Sequence, residues 1–292
     1  MPETADLILD ARAGLGEGAV WDSEREMLYW VDINAGVVHT FDPATGEDRA
    51  ISVGEPVGAV VPRRSGGLML AVRRGFASLS PESGGLRLVC DPDGHNPELR
   101  FNDGKCDPAG RFWAGTITGR DKPGRAGLFC LFPDLHAEQK LADVTNSNGI
   151  CWRSDGRMMY YIDTPLQRVD AFDFDPETGS ISNRRPVVTV PDDMGHPDGM
   201  TIDAEEKLWV AMWGGGAVHR WDPETAEHLG SIAVPASQVT SCAFGGRNLD
   251  ELYITTARAG LARKELRTQP RAGGLFKAEP GVQGAKAFAF AG

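Results

Sequence analysis

Residues 16–30 read GEGAVWDSEREMLYW: a β-type run, a polar turn and a second β-type run that ends on aromatic side chains. The unit returns five times, and its strand aromatic (once a methionine) recurs at spacings of 40 to 49 residues. These positions are Tyr29, Met69, Trp113, Tyr160, Trp209 and Tyr253. Such a period is typical of the four-stranded blade of a propeller. The repeat predicts an all-β protein, a six-bladed β-propeller with four-stranded blades, in a single domain over residues 1–292.

The two ends of the chain are expected to close this ring together. Propellers commonly complete one blade with strands from both termini, which leaves only short, protected edges. Here Asp6–Asp10, an apolar segment between two aspartates, is expected to pair with Ala285–Phe290 in the last blade. The alternative architecture, a large two-sheet sandwich, does not account for a fixed period over six copies.

The composition favours a small neutral molecule as the partner. The 292 residues carry a formal net charge of -11, which repels nucleic acid and anionic membranes. No run of about 18 apolar residues is present, and the acidic N-terminus lacks the pattern of a secretory signal. The five cysteines are scattered without CxxC spacing, which favours a reducing compartment. We therefore expect a cytoplasmic protein, a monomer or weak homo-oligomer, with no nucleic-acid or membrane partner.

Three oxygen-bearing side chains occupy one position of the repeat. Glu17, Asn148 and Asp198 each precede the strand aromatic of their unit by 11 or 12 residues. In a propeller that position lies on the innermost strand of a blade, so the three side chains are expected to meet on the central axis. Asn-Gly and Asp-Gly are also common turn dipeptides, but a turn does not explain a shared repeat position. Two carboxylates and an amide favour a site for one divalent cation: Ca²⁺, Mg²⁺, Mn²⁺, Zn²⁺ or Fe²⁺.

The segment Leu99–Lys105 adds candidate substrate contacts. Asn102 occupies the same repeat position in the third unit, and Arg100 lies two residues earlier on the same strand face. A surface salt bridge is one interpretation of Arg100, but beside a cation its five donors suit the hydroxyls of a sugar-like ligand. Strict alternation places Asp103 and Lys105 on the opposite face, where they are expected to serve blade packing or a turn.

Together these segments resemble the regucalcin (senescence marker protein)/gluconolactonase-like family of sugar lactonases, and the resemblance covers nearly the whole chain. The segments that carry it are Gly16–Gly18 with Trp21, Arg100–Lys105, Asp107–Arg111, Ser147–Gly149, Pro197–Met200, Thr240–Gly246 and Gln269–Gly274. The resemblance implies a six-bladed propeller with one divalent metal at the positions of Glu17, Asn148 and Asp198. It also implies substrate contacts from Arg100 and Asn102, with Asp198 acting in addition as acid and base.

The expected function is metal-dependent hydrolysis of a sugar lactone, such as glucono-, xylono- or arabinonolactone, to the aldonic acid. Two alternatives stay open. One is a calcium-binding regulatory protein of the regucalcin type. The other is a metal-dependent esterase or phosphotriesterase-like hydrolase on the same fold.

One difference from the family pattern concerns specificity. Animal members have an acidic substrate contact a few residues after the Gly-Thr that corresponds to Gly115-Thr116. Here Arg120 stands at the matching count, with Asp121 next to it. The loop 118–126 is therefore expected to set the preference among lactones.

Overall fold

The computed structural model of the protein describes residues 3–92, 94, 96–118 and 122–292. Within them the strands form six sheets, and the innermost strand of each sheet contacts the innermost strands of the sheets on either side. These contacts run from the first sheet through the sixth and back to the first, so the sheets stand as blades around a central channel. This confirms the six-bladed β-propeller with four-stranded blades.

Strands are numbered in chain order, and each blade is an antiparallel meander that runs outward from the channel. The innermost strands of blades one to six are β3 (Gly16–Asp22), β7 (Val57–Pro62), β11 (Arg100–Cys106), β15 (Ser147–Trp152), β19 (His196–Ile202) and β23 (Val239–Gly245). The second strands are β4 (Met27–Asp32), β8 (Leu68–Val72), β12 (Phe112–Ile117), β16 (Met158–Asp163), β20 (Leu208–Trp213) and β24 (Glu251–Thr256).

The outer half of each blade is more exposed to solvent. The third strands are β5 (Val37–Asp42), β9 (Gly75–Ser80), β13 (Ala126–Leu131), β17 (Arg168–Asp175), β21 (Ala217–Trp221) and β25 (Leu275–Ala278). The outermost strands of blades one to five are β6 (Glu47–Ser52), β10 (Gly85–Cys90), β14 (Ala137–Val144), β18 (Ser180–Thr189) and β22 (His228–Ala233). Every residue of β3 is buried, whereas β6 is exposed or half-buried throughout, which is why apolar residues dominate the inner strands and charged residues the outer ones.

Helical structure is confined to short connections in the described chain. A helix, α1 (Arg263–Thr268), precedes β25, and single 3₁₀ turns lie at Thr164–Leu166 and Asp192–Met194. No helix among the described residues is long and apolar enough to cross a membrane.

The strand aromatics of the repeat pack between blades. Tyr29, for example, joins Val20 of its own blade and Val57 and Leu70 of the next blade in one apolar cluster. Its side chain is 5% exposed, and Met69, the equivalent residue of the second blade, is fully buried. Burying a side chain of this size stabilises a fold by about 2 kcal/mol. The repeat therefore marks the contact between neighbouring blades.

The ring is closed by pairing of the two ends of the chain, as expected, but the C-terminal partner was wrongly predicted. β2 (Asp6–Leu9) pairs antiparallel with β25 and forms the outer strand of blade six. A further short strand, β1 (Glu3–Thr4), adds to β22 of blade five in parallel orientation. Because β25 already has partners on both sides, Ala285–Phe290 is left to a different role.

The C-terminal segment crosses the end of the channel. The amide of Ala285 donates to the carbonyl of Ile202 in blade five, and the amide of Phe290 donates to the carbonyl of Pro62 in blade two. Between them, residues 285–288 line one side of an apolar cavity of about 320 Å³, whose other walls are the C-terminal halves of five innermost strands. The aromatic Phe290 is fully buried. The apolar character of this segment reflects burial against the ring and not strand pairing.

Candidate metal and substrate site

Each innermost strand contains one extra residue near the end of the channel opposite the C-terminal segment. In β11, Phe101 pairs with Thr116 and Gly104 with Ala114, so three steps along β11 match two along β12. In β19, Pro197 pairs with Met212 and Met200 with Val210. Such β-bulges break the alternation of side chains and redirect them. Six bulges at equivalent places therefore define this end of the channel, which we call the channel mouth.

The glycines of the repeated dipeptides are required by close packing at these bulges. A Cβ on Gly58 would lie 2.3 Å from the carbonyl oxygen of Asn102 in the next blade. A Cβ on Gly149 would lie 2.8 Å from the carbonyl oxygen of Asp198, again in the next blade. The dipeptides lie within strands and are not hairpin turns. They bring neighbouring innermost strands close enough for their side chains to share one site.

Glu17 and Asp198 are brought together at the channel mouth, although their blades are not neighbours in sequence. Their residues are 3% and 5% exposed. Burial first, then the charges of Asp198 and Asp103, raises the pKa of Glu17 well above its usual range. Burial and then Asp103 raise the pKa of Asp198 in the same direction, while Arg100 lowers it. The carboxylates therefore repel one another in a place that solvent barely reaches.

Amide side chains connect three blades on the same side of the mouth. Arg100 donates from Nη1 to Oδ1 of Asn102 at 2.7 Å, and Asn102 donates from Nδ2 to Oδ1 of Asn148 at 2.9 Å. Asn148 in turn donates from Nδ2 to Oγ1 of Thr164 at 2.7 Å. The Thr164 hydroxyl donates to the carbonyl of Pro197, the residue before Asp198. Arg100, Asn102 and Asn148 thus belong to one hydrogen-bonded network, which ends at the residue before Asp198.

Sequence reasoning missed Thr164, which orients the amide of Asn148. It also missed Asn146, whose Oδ1 accepts a bond of 3.3 Å from Nδ2 of Asn102. Thr164 lies just after β16, in the segment Asp163-Thr164-Pro165, which in sequence indicates only a turn. Nothing local signals that this turn faces the channel, because its place depends on how blades four and five pack.

The prediction for Asp103 and Lys105 was wrong. The bulge in β11 removes the alternation on which it relied, and Asp103 is 2% exposed and acts electrostatically on both Glu17 and Asp198. Lys105 donates from Nζ to the carbonyl of Met200 in blade five, which is separated from blade three by blade four. Both side chains therefore lie in the channel and not between blades.

The residue types at the mouth fit a divalent cation. Asn148 Oδ1 accepts one described hydrogen bond and keeps a second lone pair, and Asp103 Oδ2 is buried with no hydrogen-bond partner. Across the described part of the chain, no three His, Cys, Asp or Glu side chains are grouped as a ligand set. The predicted ligand set contains only two such residues, Glu17 and Asp198, and its third member is the amide of Asn148. Two buried carboxylates that repel each other carry the charge that a divalent cation balances.

The specificity loop lies in part outside the described residues. Arg120 and Asp121 fall there, so the expectation placed on them has no structural counterpart. At the edges of this segment, Thr118 donates from Oγ1 to the carbonyl of Lys122 at 2.8 Å.

The chain belongs to the SMP-30/gluconolactonase/LRE-like family, whose model matches residues 15–258. This membership confirms the family predicted from the sequence motifs. It supports lactone hydrolysis in general.

Individual relatives are similar over nearly their whole length. The chain is 42% identical to a protein of Bacillus subtilis named "Putative sugar lactone lactonase YvrE", over 99% of both chains. It is 41% identical to regucalcin of Bos taurus, over 98% of both. Among solved structures, a calcium-binding protein, regucalcin, of Agrobacterium tumefaciens superposes with a TM-score of 0.94 at 26% identity, covering 99% of this chain and 98% of that one.

Proposed function

We propose that this protein is a metal-dependent hydrolase that opens a sugar lactone to the aldonic acid. The observation that carries the proposal is the channel mouth, where Glu17, Asn148 and Asp198 come from three different blades beside Arg100 and Asn102. The family of the chain supports the same class of reaction.

In this proposal Glu17, Asn148 and Asp198 hold one divalent cation. When bound, such an ion supplies Lewis-acid chemistry, which polarises a carbonyl and stabilises developing negative charge by several kcal/mol. The relatives named regucalcin, one of them described as calcium-binding, favour Ca²⁺ as the first ion to test, before Mg²⁺, Mn²⁺, Zn²⁺ and Fe²⁺.

Asp198 is proposed to move the proton. Its carboxylate accepts a proton from the water that adds to the lactone carbonyl, and returns it to the ring oxygen as the ring C–O bond breaks. The products are a hydroxyl and a carboxylate in one open chain, and the second proton of the water is released to solvent as the new carboxyl group ionises. Burial and Asp103 raise the pKa of Asp198 in the protein alone, whereas a cation beside it favours the ionised form that accepts the proton.

Arg100 and Asn102 are proposed to position the sugar. The described hydrogen bonds of the Arg100 side chain all use Nη1, which donates to the carbonyl of Phe101 and to Asn102. Its other two nitrogens are therefore available to ligand hydroxyls. Holding the ring in one orientation brings water and carbonyl together in an attack geometry, which is a large part of the acceleration available to a hydrolase.

The alternatives differ in what they require of Arg100 and Asn102. An esterase or phosphotriesterase-like hydrolase would use an apolar pocket, and a calcium-binding regulator of the regucalcin type needs no hydroxyl-binding pair. The donors at the mouth favour a polyol, and with it the sugar lactone.

The proposal is tested by a pH-stat assay on a panel of pentono- and hexonolactones, with a phosphotriester and a simple aryl ester as comparison substrates. The protein is first treated with a chelator and then supplied with one of the five cations at a time. We expect acid release from at least one aldonolactone, lost with the chelator and restored by a cation. Cation binding without turnover of any lactone would favour the regulatory alternative and would overturn the proposal that the protein is a lactonase.

A further inference from the structure

One side chain at the channel mouth has no role in the proposed reaction. The residue that follows the axial position is glycine in blades one, four and five, and we call Gly18, Gly149 and Gly199 the ring glycines. In blade three the same position, directly after Asn102, is Asp103. Blade three therefore carries a carboxylate where blades one, four and five have only a hydrogen atom.

Crowding explains the glycine in blades four and five, whereas Gly18 in blade one has a left-handed φ of +61°. A Cβ on Gly199 would lie 2.8 Å from the Cα of Ser241, and one on Gly149 would lie 2.8 Å from the carbonyl oxygen of Asp198. In blade three, Asp103 is enclosed as well, since it is only 2% exposed. A carboxylate kept in such a place costs free energy unless something compensates its charge.

The protein compensates Asp103 only in part. Its Oδ1 accepts from the amide of Gly104 at 2.7 Å, whereas Oδ2 is buried without a partner. Lys105 acts on it from a distance, but the Lys105 ammonium is bonded to the carbonyl of Met200 and forms no ion pair with Asp103 in the described structure. Glu17 and Asp198, on which the charge of Asp103 acts, have the same sign and repel it.

We infer that Asp103 is a positioning residue for the cation site: its carboxylate adds a third negative charge that strengthens binding of a divalent cation by Glu17, Asn148 and Asp198. The inference rests on the proposed function. Asp103 acts through the field it creates and not as a ligand, since no three acidic side chains are grouped as a ligand set among the described residues. Without a cation, the three carboxylates repel one another and destabilise the protein. A bound cation attracts all three.

The test is Asp103→Asn, which keeps the shape of the side chain and an acceptor for the Gly104 amide. Two quantities are measured on the full chain: the dissociation constant for Ca²⁺ or Mn²⁺ by calorimetry, and Tm in excess chelator. We expect the variant to bind the cation about tenfold or more weakly. We also expect its Tm in chelator to rise by about 2 °C or more, because a repelled buried charge is gone.

Two further variants complete the design. Asp103→Gly introduces the glycine found in blades one, four and five and is expected to weaken cation binding by a similar factor. Asp22→Asn removes a buried aspartate charge at the opposite end of β3, where it is paired with Arg25, and is expected to leave cation affinity unchanged. A purely structural role for Asp103 predicts a lower Tm in chelator and an unchanged dissociation constant.

The outcomes separate the two proposals. If wild type binds the cation and both Asp103 variants bind it equally well, the inference is overturned while the proposed function stands. If wild type takes up none of the five cations, the metal of the proposed function is wrong and the inference falls with it.

Discussion

Asp198 lies near the start of β19 and Asp203 lies directly after its end, and both are buried. The carboxylate of Asp203 is paired with hydrogen-bond donors. Its Oδ2 accepts from Trp209 Nε1 at 2.9 Å and from Arg220 Nε at 2.8 Å. Its Oδ1 accepts two backbone amides. Asp198 accepts no hydrogen bond from any described residue and instead faces other carboxylates. Asp203 thus stabilises its blade through hydrogen bonds, whereas Asp198, near the other end of the strand, is repelled by other carboxylates.

Blade three repeats the stabilising half of this contrast. Asp107 Oδ2 accepts from Trp113 Nε1 at 2.9 Å and from Arg111 Nε at 2.6 Å, and Asp107 is fully buried. A pairing that recurs between blades belongs to the architecture of the repeat. The residues that differ between blades at one repeat position, Glu17, Asn102, Asn148 and Asp198, are the ones free to serve a single site on the axis.

The largest expected effect comes from Asp198, the aspartate that other carboxylates repel. Asp198→Asn removes the proposed proton acceptor and should lower kcat for the responsive lactone by about 1,000-fold, within the range of general acid–base catalysis. Initial rates in the pH-stat with saturating cation measure it. Asp22→Asn, which also removes one buried carboxylate, is expected to retain wild-type rates. A variant Asp198→Asn within tenfold of wild type would contradict the assignment.

The next largest effect comes from Asp203, the aspartate that is paired with Arg220 and Trp209. Asp203→Asn leaves the Arg220 guanidinium and the Trp209 N–H facing an amide, and should lower the free energy of unfolding by about 3 kcal/mol. Urea denaturation measures the change, and cation affinity should stay at the wild-type value. Glu205→Gln is the matched control, because Glu205 binds the same Arg220 but is exposed, so its loss should cost less than about 1 kcal/mol. Equal losses in the two variants would show that the buried pairing of Asp203 is worth no more than an exposed ion pair.

The smallest effect sharpens the role of the residues around the acids. Arg100→Lys keeps the positive charge near Glu17 and Asp198 but removes the planar fork of donors. We expect KM for the lactone to rise about tenfold, with a smaller change in kcat, and the Tm to stay within a few degrees of wild type. Arg25→Lys, at the far end of β3, is expected to leave both constants unchanged. An unaltered KM in Arg100→Lys would show that the substrate does not use the fork.

The architecture could be predicted from the sequence because each part of the evidence is local. The spacing of Tyr29 to Tyr253 follows from the length of a four-stranded meander, and each strand aromatic packs in the same way between two blades. Likewise, Glu17, Asn148 and Asp198 share an offset from their aromatics, so a common place on the axis follows from the repeat. Their proposed roles stay a prediction.

The partners of particular segments could not be predicted in the same way. Asp6–Asp10 and Ala285–Phe290 are both apolar enough for a strand, and only the packing of blade six shows that β25 is the partner of β2. The segment 285–290 owes its buried Phe290 to contacts with blades two and three, which are more than 150 residues away in the chain.

The amino-acid sequence by itself determined the number of blades and the repeat position that faces the axis, since both follow from a period that survives along the whole chain. Only the tertiary structure decided where Asp103 and Lys105 point. Alternation is a property of one regular strand, and it fails at the bulges, where six strands crowd around one channel. The negative charge at the channel mouth therefore depends on which blades carry an acidic side chain there.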